Sequence, residues 1–169
     1  MKTLEAVHYR FLLRETVISV AICICINALI AYFVFGSSEA IVLWGKGGLA
    51  MDLVPTIFLT AFGMTLGMTL STRKRIENGK APATAWRRRE SNFLRWLPRS
   101  VCLRSLVVAT VFLLILMPIF LGFLLIAYDF PVDFSATLFF KIFVGAATGL
   151  VYTPVILISA MADRGDLPT

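Results

Sequence analysis

Four long apolar runs, each close to the length that crosses a lipid bilayer as a helix, constrain this chain more than any other feature. A hydrocarbon core is about 30 Å thick and asks for roughly 20 mostly apolar helical residues per crossing. Thr16–Phe35 and Ser105–Tyr128 carry no formal charge, Leu49–Ser71 carries only Asp52, and Leu138–Met161 carries only Lys141. The runs are continuous rather than alternating, so they predict helices and not the strands of a closed barrel. Composition agrees: 59% of the 169 residues are hydrophobic and 15% are charged, against roughly a quarter charged in soluble domains. A soluble domain of this size could not hide that much apolar surface. The expected fold is an all-α membrane protein with one four-helix transmembrane domain over residues 1–169. Its four transmembrane helices form two helical hairpins joined by a basic linker, residues 72–104. The first run exceeds the roughly 7–15 apolar residues of a signal-peptide core, so it reads as a retained helix despite the basic flank of Lys2, Arg10 and Arg14.

The distribution of charge predicts the orientation. The linker holds Arg73, Lys74, Arg75, Lys80, Arg87, Arg88, Arg89, Arg95, Arg99 and Arg104, opposed only by Glu77 and Glu90. The other side carries just Lys46 and Lys141 as cations, beside Glu39, Asp52, Asp129 and Asp133. Lysine and arginine concentrate in cytoplasmic loops, which places the linker and both termini inside. Gly79 and Pro82 punctuate the linker, so the second helix is expected to continue through Ile76 and stop near Asn78.

Residues 84–97 can form a short helix lying in the headgroup layer. Trp86, Phe93, Leu94 and Leu97 gather on one side at 100° per residue, while Arg88 and Arg95 face away. On this reading Arg87, Arg88, Arg89, Arg95, Trp86 and Trp96 contact lipid headgroups, with anionic lipids of the cytoplasmic face as partners. The alternative is an irregular loop whose tryptophans mark the interface. The net charge of +6 does not point to nucleic acid, because topology explains those charges and no reading motif accompanies them.

Ionisable groups inside a membrane cost several kcal/mol unless partnered or hydrated, and so point to sites. Asp52 and Lys141 both fall near the outer start of a returning span. They could pair across spans two and four, or line a small outward-facing polar vestibule. Alternatively each simply reaches the interface, Lys141 by snorkelling and Asp52 favoured by the helix dipole. Asn27 is the strongly polar residue deep in span one, where its amide is expected to hydrogen-bond a neighbouring helix. Gly63-x-x-x-Gly67, extended by Thr56 and Thr60, and Gly145-x-x-x-Gly149 are small-residue faces that predict a contact between spans two and four, or self-association. Pro55, Pro118 and Pro154 fall within spans and are expected to kink them.

Catalytic and metal chemistry find little support. His8 is the single histidine, and Cys23 and Cys25 lie about 200° apart on a helix, so they cannot share a metal. There is no C-x-x-C pair, no glycine-rich phosphate loop after a strand and no serine–histidine arrangement. No cofactor, metal site or catalytic residue is expected.

The stretches Asn27-Ala-Leu-Ile-Ala-Tyr-Phe-Val-Phe-Gly36 and Val42-Leu-Trp-Gly-Lys-Gly-Gly-Leu-Ala-Met-Asp-Leu-Val-Pro-Thr56 resemble small uncharacterised bacterial inner-membrane proteins, sometimes labelled permeases. The resemblance covers mainly the first hairpin and implies a bacterial cytoplasmic membrane. Small multidrug exporters would need a glutamate embedded in span one, and Glu15 sits only at its edge. Glutathione-linked membrane enzymes would need a histidine in the linker, and it has none. Scarce reactive groups beside abundant packing signals lead to the expectation of a non-enzymatic protein, a homo-oligomer or a component of a larger membrane assembly. The rivals are a small oligomeric transporter or channel with a polar route near Asp52 and Lys141, and a surface protein reading anionic lipid.

Overall fold

The computed structural model describes residues 2–38, 40–78, 98 and 100–162. They form four helices: α1 (Lys2–Phe35), α2 (Leu49–Glu77), α3 (Val101–Ala127) and α4 (Phe134–Ala162). All four are long and apolar enough to cross a membrane, and the chain is a multi-pass, all-α membrane protein. The basic linker centred on residues 79–97, including its amphipathic stretch and the headgroup residues Trp86, Arg87, Arg88, Arg89, Arg95 and Trp96, lies outside the described residues.

The helices outrun the apolar runs. α2 continues to Glu77 with Asn78 as its cap, and α3 starts at Val101, so the linker is shorter than residues 72–104. α4 starts at Phe134 because Asp133 caps it: the carboxylate accepts the Ala136 N–H at 3.1 Å and the Ser135 hydroxyl. Pro55, Pro118 and Pro154 all lie inside continuous helices.

α4 is the hub. Half of its most apolar stretch is buried, against 22% for α1 and for α3. It meets each neighbour with a different chemistry. Toward α1 it presents glycine: a Cβ on Gly145 would fall 2.7 Å from the Cys23 carbonyl oxygen, and one on Gly149 would fall 2.9 Å from the Cα of Val20. Toward α2 it sends Lys141. Toward α3 it presents rings, with Tyr152 edge-on to Phe112 at 4.2 Å and Phe143 stacked on Phe123 at 5.3 Å.

The two hairpins expected from the sequence, α1 with α2 and α3 with α4, are therefore not the closest packing, whereas the expected contact between spans two and four is present. The most intimate backbone contacts join α1 to α4, α2 to α3 and α2 to α4. Without a hydrophobic drive between helices in lipid, close approach follows small residues and polar groups rather than connectivity. The glycines of α4 make the α1–α4 seam the tightest one.

The end bearing the short loops is closed. Ile41 and Val132 exchange two backbone hydrogen bonds, at 2.9 and 3.0 Å, in an isolated antiparallel bridge between the loops. Their side chains, with Leu43 and Leu49, are buried against Phe35 and Leu53. The first loop folds back tightly, with Gly45 at φ 99° and Gly47 at φ 78°, the left-handed region that favours glycine. The Leu49 and Ala50 N–H groups then donate to the Val42 and Leu43 carbonyls, each at 3.0 Å.

Candidate functional site

Asp52 sits in the first turn of α2 and Lys141 in the second turn of α4, both just beneath the closed loops. The structure brings them together as an ion pair. Thr56, one turn past Asp52, completes a triangle. The Lys141 ammonium donates to Thr56 Oγ1 at 2.7 Å, and that hydroxyl donates to Asp52 Oδ2 at 3.3 Å. Lys141 has 0% of its side chain exposed and Asp52 only 13%.

Lys141 thus does not snorkel. Its ammonium is directed inward, where a carboxylate and a hydroxyl replace the water it has lost. A charge held this way fastens the start of α4 to the start of α2. Its enclosure matches the pairing reading of the sequence rather than an open vestibule.

Asn27 is fully buried on α1, but its amide donates to the Cys23 carbonyl of its own helix at 2.9 Å, not to a neighbouring helix as expected. The reason is geometric, since the carbonyl one turn back is always within reach of a short polar side chain. Its Oδ1 has no hydrogen-bond partner in the described structure. Because Gly145 lies against Cys23 and Gly149 against Val20 in antiparallel helices, Asn27 stands at the same level of the seam as Lys141. The face Ser19, Cys23, Asn27, Ala31 and Phe35, at a constant spacing of four, is the buried side of α1. That spacing is the signal by which the sequence could have identified α1's partner face.

The two glycine pairs part company. Gly145 and Gly149 seat α1, not α2. Gly63 and Gly67 have nothing within 4 Å of where a Cβ would stand. They instead line an open groove of about 250 Å³ between α1 and α2, together with Ile18, Ser19, Ile22, Met64 and Met68. At the basic end of that groove the Arg75 guanidinium donates to Glu15 Oε1 at 2.5 Å. In the sequence Glu15 stands at the edge of its span and Arg75 among the linker charges, and nothing there marks them as partners. Arg104, also counted with the linker, is buried in the first turn of α3.

Among the described residues no group of three or more His, Cys, Asp or Glu side chains converges as a metal site would require. Cys23 is buried and Cys25 exposed, on different faces of α1. In comparisons with family models, with curated proteins and with solved structures, nothing matches the chain.

Proposed function

We propose that this chain is a non-enzymatic protein of a bacterial cytoplasmic membrane, with both termini and the basic linker in the cytoplasm, serving as an oligomer-forming or accessory component of a larger membrane assembly. The observation that carries this reading is the enclosure of the Asp52–Thr56–Lys141 triangle. Lys141, Thr56 and Asp52 satisfy one another, with 0% of the Lys141 side chain and 13% of that of Asp52 exposed, beneath loops whose Ile41, Leu43 and Val132 are themselves buried. Groups arranged in this way hold helices in register and are poorly placed to meet a substrate. The orientation is supported by the excess of arginine in the linker.

A transport route would need polar groups continuous from one end to the other. The α1–α2 groove runs only between the levels of Ile22 with Gly63 and Glu15 with Arg75, and apolar side chains such as Leu53 and Ile57 fill the core beside the triangle. Protein extracted in a mild detergent is expected to migrate as a particle larger than one chain, or to retain co-purifying proteins. A strictly monomeric, partner-free particle would end this reading. Solute flux in proteoliposomes that vanishes with Asp52→Ala would replace it with transport.

A further inference from the structure

We propose that the groove between α1 and α2 is a binding site for one phospholipid bearing an amine headgroup, its phosphate on Arg75, its ammonium on Glu15 and one acyl chain lying along Gly63 and Gly67. This inference does not depend on the assembly role proposed above.

Depth is the first argument. Asp52 lies under the closed loops, and Arg75 follows on the same helix about 35 Å away at 1.5 Å per residue, slightly more than one hydrocarbon thickness. Arg75 therefore stands at headgroup depth on the other side. From Arg75 to Gly63 the helix runs about 18 Å, and one leaflet of hydrocarbon is about 15 Å deep. The groove begins where a headgroup sits and ends where an acyl chain ends.

Lining is the second. Toward the bilayer centre the walls are Ile18, Ile22, Met64 and Met68 over a glycine floor, and at the mouth they become Ser71, Thr72, Glu15 and Arg75. An amphipathic ligand with its polar part at the mouth fits that gradient.

Charge is the third. The mouth carries one anion and one cation already in contact, with the Arg75 side chain 42% exposed and that of Glu15 12% exposed. A headgroup with a phosphate and an ammonium can exchange with such a pair without leaving either charge uncompensated. Arginine matches phosphate by charge-assisted hydrogen bonding. A glycerol headgroup would supply the phosphate and leave the Glu15 carboxylate without a cation.

Native mass spectrometry of the detergent-purified chain, titrated with phosphatidylethanolamine or phosphatidylglycerol, tests this. One phosphatidylethanolamine should remain bound, about tenfold more tightly than phosphatidylglycerol, and Arg75→Gln should weaken it by about tenfold. Glu15→Gln should retain binding and erase the headgroup preference. Gly63→Leu with Gly67→Leu should abolish retention while thermal unfolding stays cooperative. If that variant does not fold, the wild-type chain still decides: a phosphatidylethanolamine with a photoreactive group at the acyl terminus should label residues 63–68. Labelling elsewhere, or equal retention of phosphatidylglycerol, overturns the proposal. So does disulfide-linked dimer through Gly67→Cys in a Cys25→Ser, Cys102→Ser background, which would mean that a second copy fills the groove.

Discussion

Gly145 and Gly149 of α4 lie against the backbone of α1, whereas Gly63 and Gly67 of α2, at the same spacing of four, face an open groove. One pair closes a seam that runs beneath the bridged loops. The other floors a gap crossed in its lower part by Glu15–Arg75 and by a Ser19 hydroxyl donating to the Met68 sulfur at 3.4 Å. Two identical motifs therefore do opposite things in one chain. A small-residue pair permits close approach, and what arrives depends on the rest of the bundle.

The contrast between a closed seam and an open one can be broken most forcefully at its buried charge. Lys141→Met leaves Asp52 and Thr56 facing an apolar side chain, and unfolding in detergent should show a loss of about 3–5 kcal/mol. Combining it with Asp52→Asn should recover most of that loss, and a double variant as unstable as the single one would mean that the pair does not fasten α2 to α4.

Next comes the direct comparison of glycines. Gly145→Ala drives a Cβ to 2.7 Å from the Cys23 carbonyl oxygen, and should cost about 1–3 kcal/mol. Gly63→Ala meets open space and should be neutral or stabilising by about 0.4–1 kcal/mol. Equal effects at the two positions would erase the distinction.

At the mouth of the groove, Glu15→Gln removes a partly exposed pair, and global stability should change by no more than about 1 kcal/mol. A larger loss in thermal unfolding would make the open seam a structural one.

The smallest effect concerns the cap of α4. The Ser135 hydroxyl and then the Ala136 N–H hold the Asp133 carboxyl below its usual range. A depressed carboxylate adds stability above its unfolded value, and that contribution is lost as pH falls through the folded one. The protection of the Ala136 amide, measured against the intrinsic exchange rate at each pH, should therefore hold steady near neutral pH and fall only below about pH 4. Asp133→Asn should remove the pH dependence.

Parts of this architecture were legible residue by residue. The end of α2 near Asn78 followed from Gly79 and Pro82, because such breakers act locally, and its start matched the edge of the apolar run at Leu49. Asp52 and Lys141 stood out because charge in an apolar run is conspicuous, yet whether they met depended on how two helices far apart in sequence pack. Asn27 was conspicuous for the same reason and turned to its own helix instead. Glu15 and Arg75 were obscured, since each lies among other charges near a helix end and nothing local marks one as the partner of the other.

The sequence by itself determined that four helices cross an apolar phase, which apolar run lies in each and which end carries the basic linker. Those properties come from transfer of side chains and backbone into hydrocarbon, which is additive along the chain. Tertiary structure alone decided that α1 packs on α4, that one glycine pair is filled and the other open, and that Lys141 faces inward. In lipid a small and partly polar stripe such as Ser19, Cys23, Asn27 and Ala31 can mark a buried face, but it does not say which helix will cover it. The choice falls to a few short-range contacts between residues far apart in the chain.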